Sequence, residues 1–313
     1  MTRIGVLGAG GMGSAFAAHL ARSGADVLLI GRGSPHVRAL AERPLRVDPP
    51  LGEPWLVDVP VAATAADVPA GSIGVLLLLT KSYDLGVAAR SAGHVLAPDG
   101  VALPLQNGLG TDVPVADVFG DGRTLVGTTT VGAALREPAR ITVSVATATG
   151  ECRTDLGRMG RGRAPAEQAD RIAALLTAAG LPGLASPAVD ELIWSKLALA
   201  SMSPVSSVPR VTVASVWGSE RGRALAGRMA AEVLDVAAAE GVGLDRAAAL
   251  EHAERVWAST GEHYTSMCTD VREGRRTELA GMAGAVRALA VARGIPVPVH
   301  DTVLDLLDLA GVR

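Results

Sequence analysis

The 313-residue sequence predicts an α/β fold in two domains: an N-terminal doubly wound sheet (residues 1–186) and a C-terminal all-helical domain (187–313). Three observations carry this expectation. The chain exceeds the roughly 250–300 residues at which a single core stops growing. Its first half alternates continuous apolar runs with helical stretches, the wording of a parallel sheet with crossover helices, whereas beyond about Pro187 nearly every apolar pattern has helical spacing. Finally, apolar residues make up 49%, charged residues 19% and aromatics only 3% of the chain, which excludes disorder and describes a compact, helix-rich protein.

The first element is the apolar strand Arg3–Leu7, followed at once by Gly8-Ala-Gly10-Gly-Met-Gly13 and an Ala-rich helical stretch to about Arg22. In such a strand, loop and helix the first glycine makes the tight turn, the second lets backbone approach a pyrophosphate, and the third packs helix on strand. The helix N-terminus then faces the phosphates. With a second strand over Ala25–Ile30, this is the opening of a Rossmann-type dinucleotide domain, with Gly8, Gly10 and Gly13 as cofactor-binding residues. That strand ends at Gly31-Arg32, where an NAD-selective site usually carries a carboxylate for the ribose hydroxyls. A guanidinium there favours a 2′-phosphate, so the expected cofactor is NADP(H), with Arg32 as its ligand and Ser34 as a further hydroxyl donor. The bland alternative is that Arg32 is an ordinary surface arginine.

Further strands are expected over Ser72–Leu79, Gly100–Leu105 and Thr124–Val131, each apolar enough to be buried on both faces of the same parallel sheet. Ligands of open α/β sheets sit beyond the carboxyl ends of strands, which places Lys81 and Asn107 at the cofactor edge. Lys81 is one of only two lysines, against 27 arginines. Its ammonium could meet phosphate, ribose or a substrate carboxylate; Asn107 could hold nicotinamide or substrate, although Asn-Gly is also a common turn pair.

Residues Ala164–Gly180 read as an amphipathic helix, and Leu181-Pro-Gly183 and Ser186-Pro187 as linker. The next segment, Val189–Ala200, puts Trp194, Leu197 and Ala198 on one helical face and surrounds Lys196, the second lysine, with apolar neighbours. Partial desolvation favours the neutral amine, so Lys196 is the candidate general acid, a task a guanidinium cannot perform. The polar stretch Tyr264–Glu278 precedes an Ala-rich helix expected from Leu279, which Glu278 would open. A carboxylate in a first helical turn is favoured by the macrodipole whatever the function; the functional reading is a partner for substrate or for Lys196. Ile295–Pro298 breaks the chain before a last helix, Thr302–Leu309.

A formal charge of -3 gives no field for nucleic acid, and the longest apolar run, Ile73–Leu79, is too short to span a membrane. Cys152 and Cys268 are the only cysteines, and no Cys/His spacing suits a metal. A reducing cytoplasm is the expected location. None of the six histidines enters the expected chemistry.

Together, Gly8–Gly13, Lys81-Ser-Tyr83, Gln106-Asn107-Gly108, Trp194-Ser-Lys196-Leu197, and Ser266-Met267 with Glu278 resemble, in that order, the ketopantoate reductase (2-dehydropantoate 2-reductase) family across nearly the whole chain. The resemblance implies NADPH-dependent reduction of a ketopantoate-like 2-oxo acid to the 2-hydroxy acid. It implies Lys196 as general acid, Glu278 as supporting carboxylate, Lys81 and Asn107 as cofactor and substrate contacts, and Ser266 as a contact to the substrate acid group. One departure stands out: where family members carry asparagines after the lysine, this chain has Ala200 and Ser203-Pro204. A hydroxyl left unmatched by Ala200 would cost about 1–3 kcal/mol. A reductase for another carbonyl or an imine, in a specialised pathway, therefore stays open, as does a non-catalytic NADP(H)-responsive binding protein. The Ala-rich helices are able to pair across a homodimer.

Overall fold

A computed structural model describes residues 2–312. Contacts divide the chain into two compact units. One takes the chain up to Gln106 together with Gly110–Val189; the other takes Asn107–Leu109 together with the chain from Asp190.

In the first unit β1 (Ile4–Leu7) leads through α1 (Gly11–Arg22) to β2 (Val27–Ile30), and α2 (Pro35–Glu42) follows. Next come β3 (Leu45–Asp48), β4 (Trp55–Val57), β5 (Val61–Ala62) and β6 (Ile73–Leu78), then α3 (Leu85–Ser91) and β7 (Leu96–Pro104). A five-stranded sheet has the order β5-β2-β1-β6-β7, every pair parallel. The chain winds outward from β1 through β2 to β5, then returns to β6 on the other side of β1. The carboxyl ends of β1 and β6 thus form the switch point where ligands of open sheets lie.

After α4 (Asp112–Phe119) the topology departs from expectation. The apolar run expected as another parallel strand contains β8 (Val126–Thr129), which pairs antiparallel with β11 (Thr154–Gly157) and is not a strand of the main sheet, although the residue two before it, Thr124, makes a bridge to Ala102 of β7. Between them lie β9 (Ala133–Glu137), β10 (Arg140–Val143) and α5 (Val145–Thr149), and α6 (Ala166–Ala178) follows β11. The segment expected as linker holds β12 (Gly183–Ala185), parallel to β11. Burial on both faces does not reveal a strand's partners, which is why the run looked parallel. β2 starts at Val27 rather than Ala25, because Ala25 N–H closes the preceding turn on Leu20 C=O.

A four-stranded sheet, β4-β3-β10-β9, covers the side of α1 turned away from the parallel sheet. Three alanines make a close approach possible: Ala15, Ala17 and Ala18 of α1, with the larger Phe16 and Leu20, share one core with Ile4, Val6, Val27 and Leu29 of one sheet and with Leu45, Val47, Ile141 and Val143 of the other.

The second unit is helical: α7 (Val189–Ala200), α8 (Ser203–Ser207), α9 (Val213–Trp217), α10 (Glu220–Ala239), α11 (Arg246–Thr260), α12 (Ser266–Arg272), α13 (Ala283–Arg293) and α14 (Pro298–Leu309). α10 buries Ala226, Met229, Ala230, Val233 and Ala237, a repeat of three and four that faces one core. That core also holds Trp194, Leu197, Trp257, Met267, Val286 and Leu307. α14 begins four residues before the expected Thr302, because Pro298 serves as its first residue, where a missing N–H costs nothing. Its first-turn N–H groups at Val299 and His300, which have no acceptor within the helix, donate to the Glu232 carboxylate of α10, which also accepts from His300 Nδ1 at 2.7 Å. Burial opposes ionisation of Glu232, but these hydrogen bonds outweigh it and hold the carboxyl below its usual range.

Among the described residues no helix is long and apolar enough to cross a membrane.

Candidate active site

In the first unit the glycine loop has the geometry its sequence requires. Gly8 has φ +117°, and a Cβ there would lie 2.7 Å from the backbone of Leu79 and Thr80. Gly13 is pressed so closely onto the loop that a Cβ would meet Gly8 C=O at 1.9 Å. Gly10, at the N-cap of α1, is different: a Cβ there would meet nothing within 4 Å. Two glycines are thus demanded by packing, and the third opens onto space at a helix N-terminus. This is the arrangement a pyrophosphate needs.

Arg32 follows β2 and is 86% exposed, its guanidinium 3.2 Å from Asp84. The sequence reading missed this acid, although Asp84 lies only three residues beyond Lys81 in the same strand-end loop. An ion pair so exposed is worth about 0–1 kcal/mol, so an incoming phosphate can take Arg32 over. Ser34 accepts Val37 N–H at the start of α2, which leaves its hydroxyl hydrogen to donate elsewhere.

Two residues further on, buried His36 ties three elements together. Its Nδ1 accepts Ala139 N–H at 3.0 Å, and its Nε2 lies 2.9 Å from Ser14 Oγ. A backbone N–H only donates, so the neutral ring carries its proton on Nε2 and donates to Ser14. Burial pushes the imidazole below its ordinary value, which maintains this arrangement.

Lys81 is half-buried at the exit from β6, where its C=O accepts Asp84 N–H. Gln106, 6% exposed, sits across from it: Nε2 donates to Leu78 C=O at 2.9 Å and to Thr80 C=O at 3.0 Å.

The second unit holds the other four candidates. Asn107 begins the Asn107–Leu109 excursion, which is fastened by Leu109 N–H donating to Gly281 C=O at 3.1 Å. Gly108 has φ +106°, and a Cβ there would lie 2.0 Å from that same carbonyl oxygen, so only glycine permits the approach. Gly281 closes the short 3-10 turn Leu279–Gly281, whose N-cap is Glu278. Here the sequence expectation needs correction. Glu278 does not open the long helix, which starts at Ala283, because the Gly281 carbonyl faces the Asn107–Leu109 loop. The macrodipole explanation for Glu278 falls with it.

Lys196 is half-buried on α7 between Trp194 and Leu197, which are 3% and 2% exposed. Ser266 is exposed at the first position of α12, behind the N-cap Thr265, whose side chain accepts Cys268 N–H. Trp194 and Leu197 beside Lys196, Met267 after Ser266, Leu279 after Glu278 and Leu109 near Asn107 all pack on one core. Lys81, Arg32 and the glycines belong to the first unit. Among the described residues there is no group of His, Cys, Asp and Glu able to hold a metal ion.

Two family models match the chain. Residues 4–159 match the family model "Ketopantoate reductase PanE/ApbA", and residues 188–310 match "Ketopantoate reductase PanE/ApbA C terminal". The chain belongs to the ketopantoate reductase family. A 2-dehydropantoate 2-reductase of Halobacterium salinarum is 33% identical over 310 residues, 98% of each chain. Among solved structures, a PanE/ApbA family ketopantoate reductase from Ralstonia eutropha is 25% identical with TM-score 0.85, covering 98% of each chain. D-mandelate dehydrogenase with NADH and anilino(oxo)acetate has TM-score 0.89 at 24% identity, again over 98% of each chain, a likeness of fold. As a member of the ketopantoate reductase family the protein is an oxidoreductase.

Proposed function

We propose that this ketopantoate reductase homologue uses NADPH to reduce a 2-oxo acid to the 2-hydroxy acid, with Lys196 as proton donor. The observation that carries the reading is Lys196 itself: where 27 of 29 basic residues are arginine, a lysine occupies the half-buried position between Trp194 and Leu197. An ammonium can release a proton to a forming alkoxide and regain it from water, whereas a guanidinium holds its proton throughout.

The residues fit a dinucleotide. Gly10 leaves open space at the N-terminus of α1, with Gly8 and Gly13 holding the loop to the sheet. When bound, the reduced nicotinamide supplies the hydride. Arg32 exchanges its exposed pairing with Asp84 for the 2′-phosphate. Lys81 adds a compact positive charge at the β6 exit. Asn107 orients substrate or nicotinamide through its amide, Ser266 donates to the substrate carboxylate, and Glu278 supports the Lys196 ammonium. Lys196 then places its proton on the carbonyl oxygen, which neutralises charge as it develops.

The test is consumption of NADPH, followed by absorbance, with ketopantoate and a panel of other 2-oxo acids. A Lys196→Ala protein that binds NADPH and turns over at the wild-type rate would refute the assignment. Half-buried Ala200, one turn after Lys196, offers no hydrogen bond to a substrate hydroxyl and favours a second reading: a carbonyl or imine substrate other than ketopantoate. Efficient turnover of ketopantoate removes that reading.

A further inference from the structure

The side chain of Gln106 is arranged in an unusual way. Both of its amide hydrogens are spent on backbone carbonyls at the end of β6, those of Leu78 and Thr80. Leu78 C=O already accepts Leu105 N–H at 3.1 Å, so the amide adds a second donor to an occupied carbonyl. Meanwhile Gln106 Oε1 is sealed from solvent with no hydrogen-bond partner among the described residues, and so is Thr80 Oγ1 beside it. A turned amide would set its oxygen against two carbonyl oxygens, so this orientation is the one electrostatics allows. An orphaned buried acceptor is destabilising, and leucine or methionine would fill the same space without one. The position keeps an amide because its two donors matter.

What they hold is the Leu79-Thr80 exit from β6. On its other side the exit lies against Gly8, where even a Cβ would stand 2.7 Å from the Leu79 and Thr80 backbone. Gly8 N–H is in turn bonded to Ile30 C=O, and Leu79 N–H to Leu7 C=O. The exit is therefore clamped between the glycine turn and the Gln106 amide. From it hang the remaining charged candidates of this unit: Lys81 is the next residue, and Asp84, whose N–H bonds Lys81 C=O, is the partner of Arg32.

We propose that Gln106 is a positioning residue for dinucleotide binding, which sets the glycine turn, Lys81 and the Asp84–Arg32 pair by stapling the β6 exit. The proposal rests on the dinucleotide reading given above.

The test uses the full chain with Gln106→Leu and Gln106→Glu, and reads NADPH affinity by calorimetry alongside steady-state kinetics and thermal unfolding. Gln106→Leu is expected to weaken NADPH binding by about tenfold to a hundredfold. The KM for NADPH should rise with it, while the KM for the oxo acid stays within about twofold. Gln106→Glu offers no donor when ionised and one O–H donor when protonated. Facing two carbonyl oxygens, its carboxyl should titrate high, so NADPH affinity should be poor near pH 8 and recover in part toward about pH 6, a trend the wild type lacks. A role confined to stability would lower the melting temperature and leave affinity and pH profile untouched, and that result overturns the proposal. If Gln106→Leu does not fold, the pH profile of Gln106→Glu decides. A wild-type protein that binds no dinucleotide would overturn the functional reading and this proposal together; wild-type binding matched by Gln106→Leu overturns this proposal alone.

Discussion

Substituting Gly108 by alanine isolates the contact that joins Asn107 to the Glu278 segment. Gly108 has φ +106°, beyond the region where L residues sit comfortably, and its new Cβ would lie 2.0 Å from Gly281 C=O. The backbone must move, and the Leu109 N–H to Gly281 C=O bond of 3.1 Å goes with it. Strain of about 1–3 kcal/mol and a lost hydrogen bond of about 0.5–1.5 kcal/mol together give roughly 2–4 kcal/mol. The melting temperature should fall by roughly 3–6 °C. Displacing Asn107 by as little as an ångström should cost about a hundredfold in kcat/KM. Gly110→Ala is the matched control: φ is +70° and a Cβ there meets nothing within 4 Å, so only about 1–2 kcal/mol of backbone strain is expected. Calorimetry and steady-state turnover of both variants decide the matter. Equal losses in the two proteins, or wild-type turnover in Gly108→Ala, would show that the approach to Gly281 is not what holds Asn107.

Three further outcomes are expected. Arg32→Ala should raise the KM for NADPH by about tenfold to a hundredfold and leave that for NADH nearly unchanged, as seen in kinetics with each cofactor; an equal effect on both would deny Arg32 its phosphate. Gly10→Ala should unfold within about 1 kcal/mol of wild type, since its backbone is extended and its Cβ meets no atom, yet bind the dinucleotide more weakly; Gly13→Ala should lose the fold's stability first. Burial lowers the folded-state pKa of both His36 and His19, so the unfolded chain takes up protons more readily. Their contribution to stability is complete above the unfolded value near 6.5, declines as pH falls below it, and levels off once the folded values are passed. Denaturant titrations across that range should show the slope, and His36→Gln, which keeps a donor and an acceptor, should remove part of it.

How much of this was legible in the sequence depended on where each constraint comes from. The glycine loop could be read because the turn, the open cradle and the helix contact are set by residues within six positions of one another. The four-stranded sheet escaped notice because β3 and β10 find each other across almost a hundred residues, and strands of three to five residues carry little periodicity. Glu278 was assigned to a helix for a similar reason. The segment after it has helical composition, but the Gly281 carbonyl is taken by Leu109 N–H, a partner 172 positions away in the chain that no local pattern announces. Lys196 stands out as a candidate because lysine is rare here, and its neighbours Trp194 and Leu197 are buried as their spacing predicts. Asp84 was missed because a salt bridge between two loops leaves no mark on either.

The placement of α1 between two sheets bears on how tightly a ligand can be held. Most recognition loops give up conformational freedom when they bind, and that loss is subtracted from the affinity of the contacts made. Here the helix carrying the glycine cradle is packed on both sides, with Ser14, Ala15, Phe16, Ala17, Ala18 and Leu20 all fully buried. The N–H groups at its N-terminus are already ordered, so under the dinucleotide reading proposed above little ordering of this helix would be subtracted from the affinity of phosphate contacts.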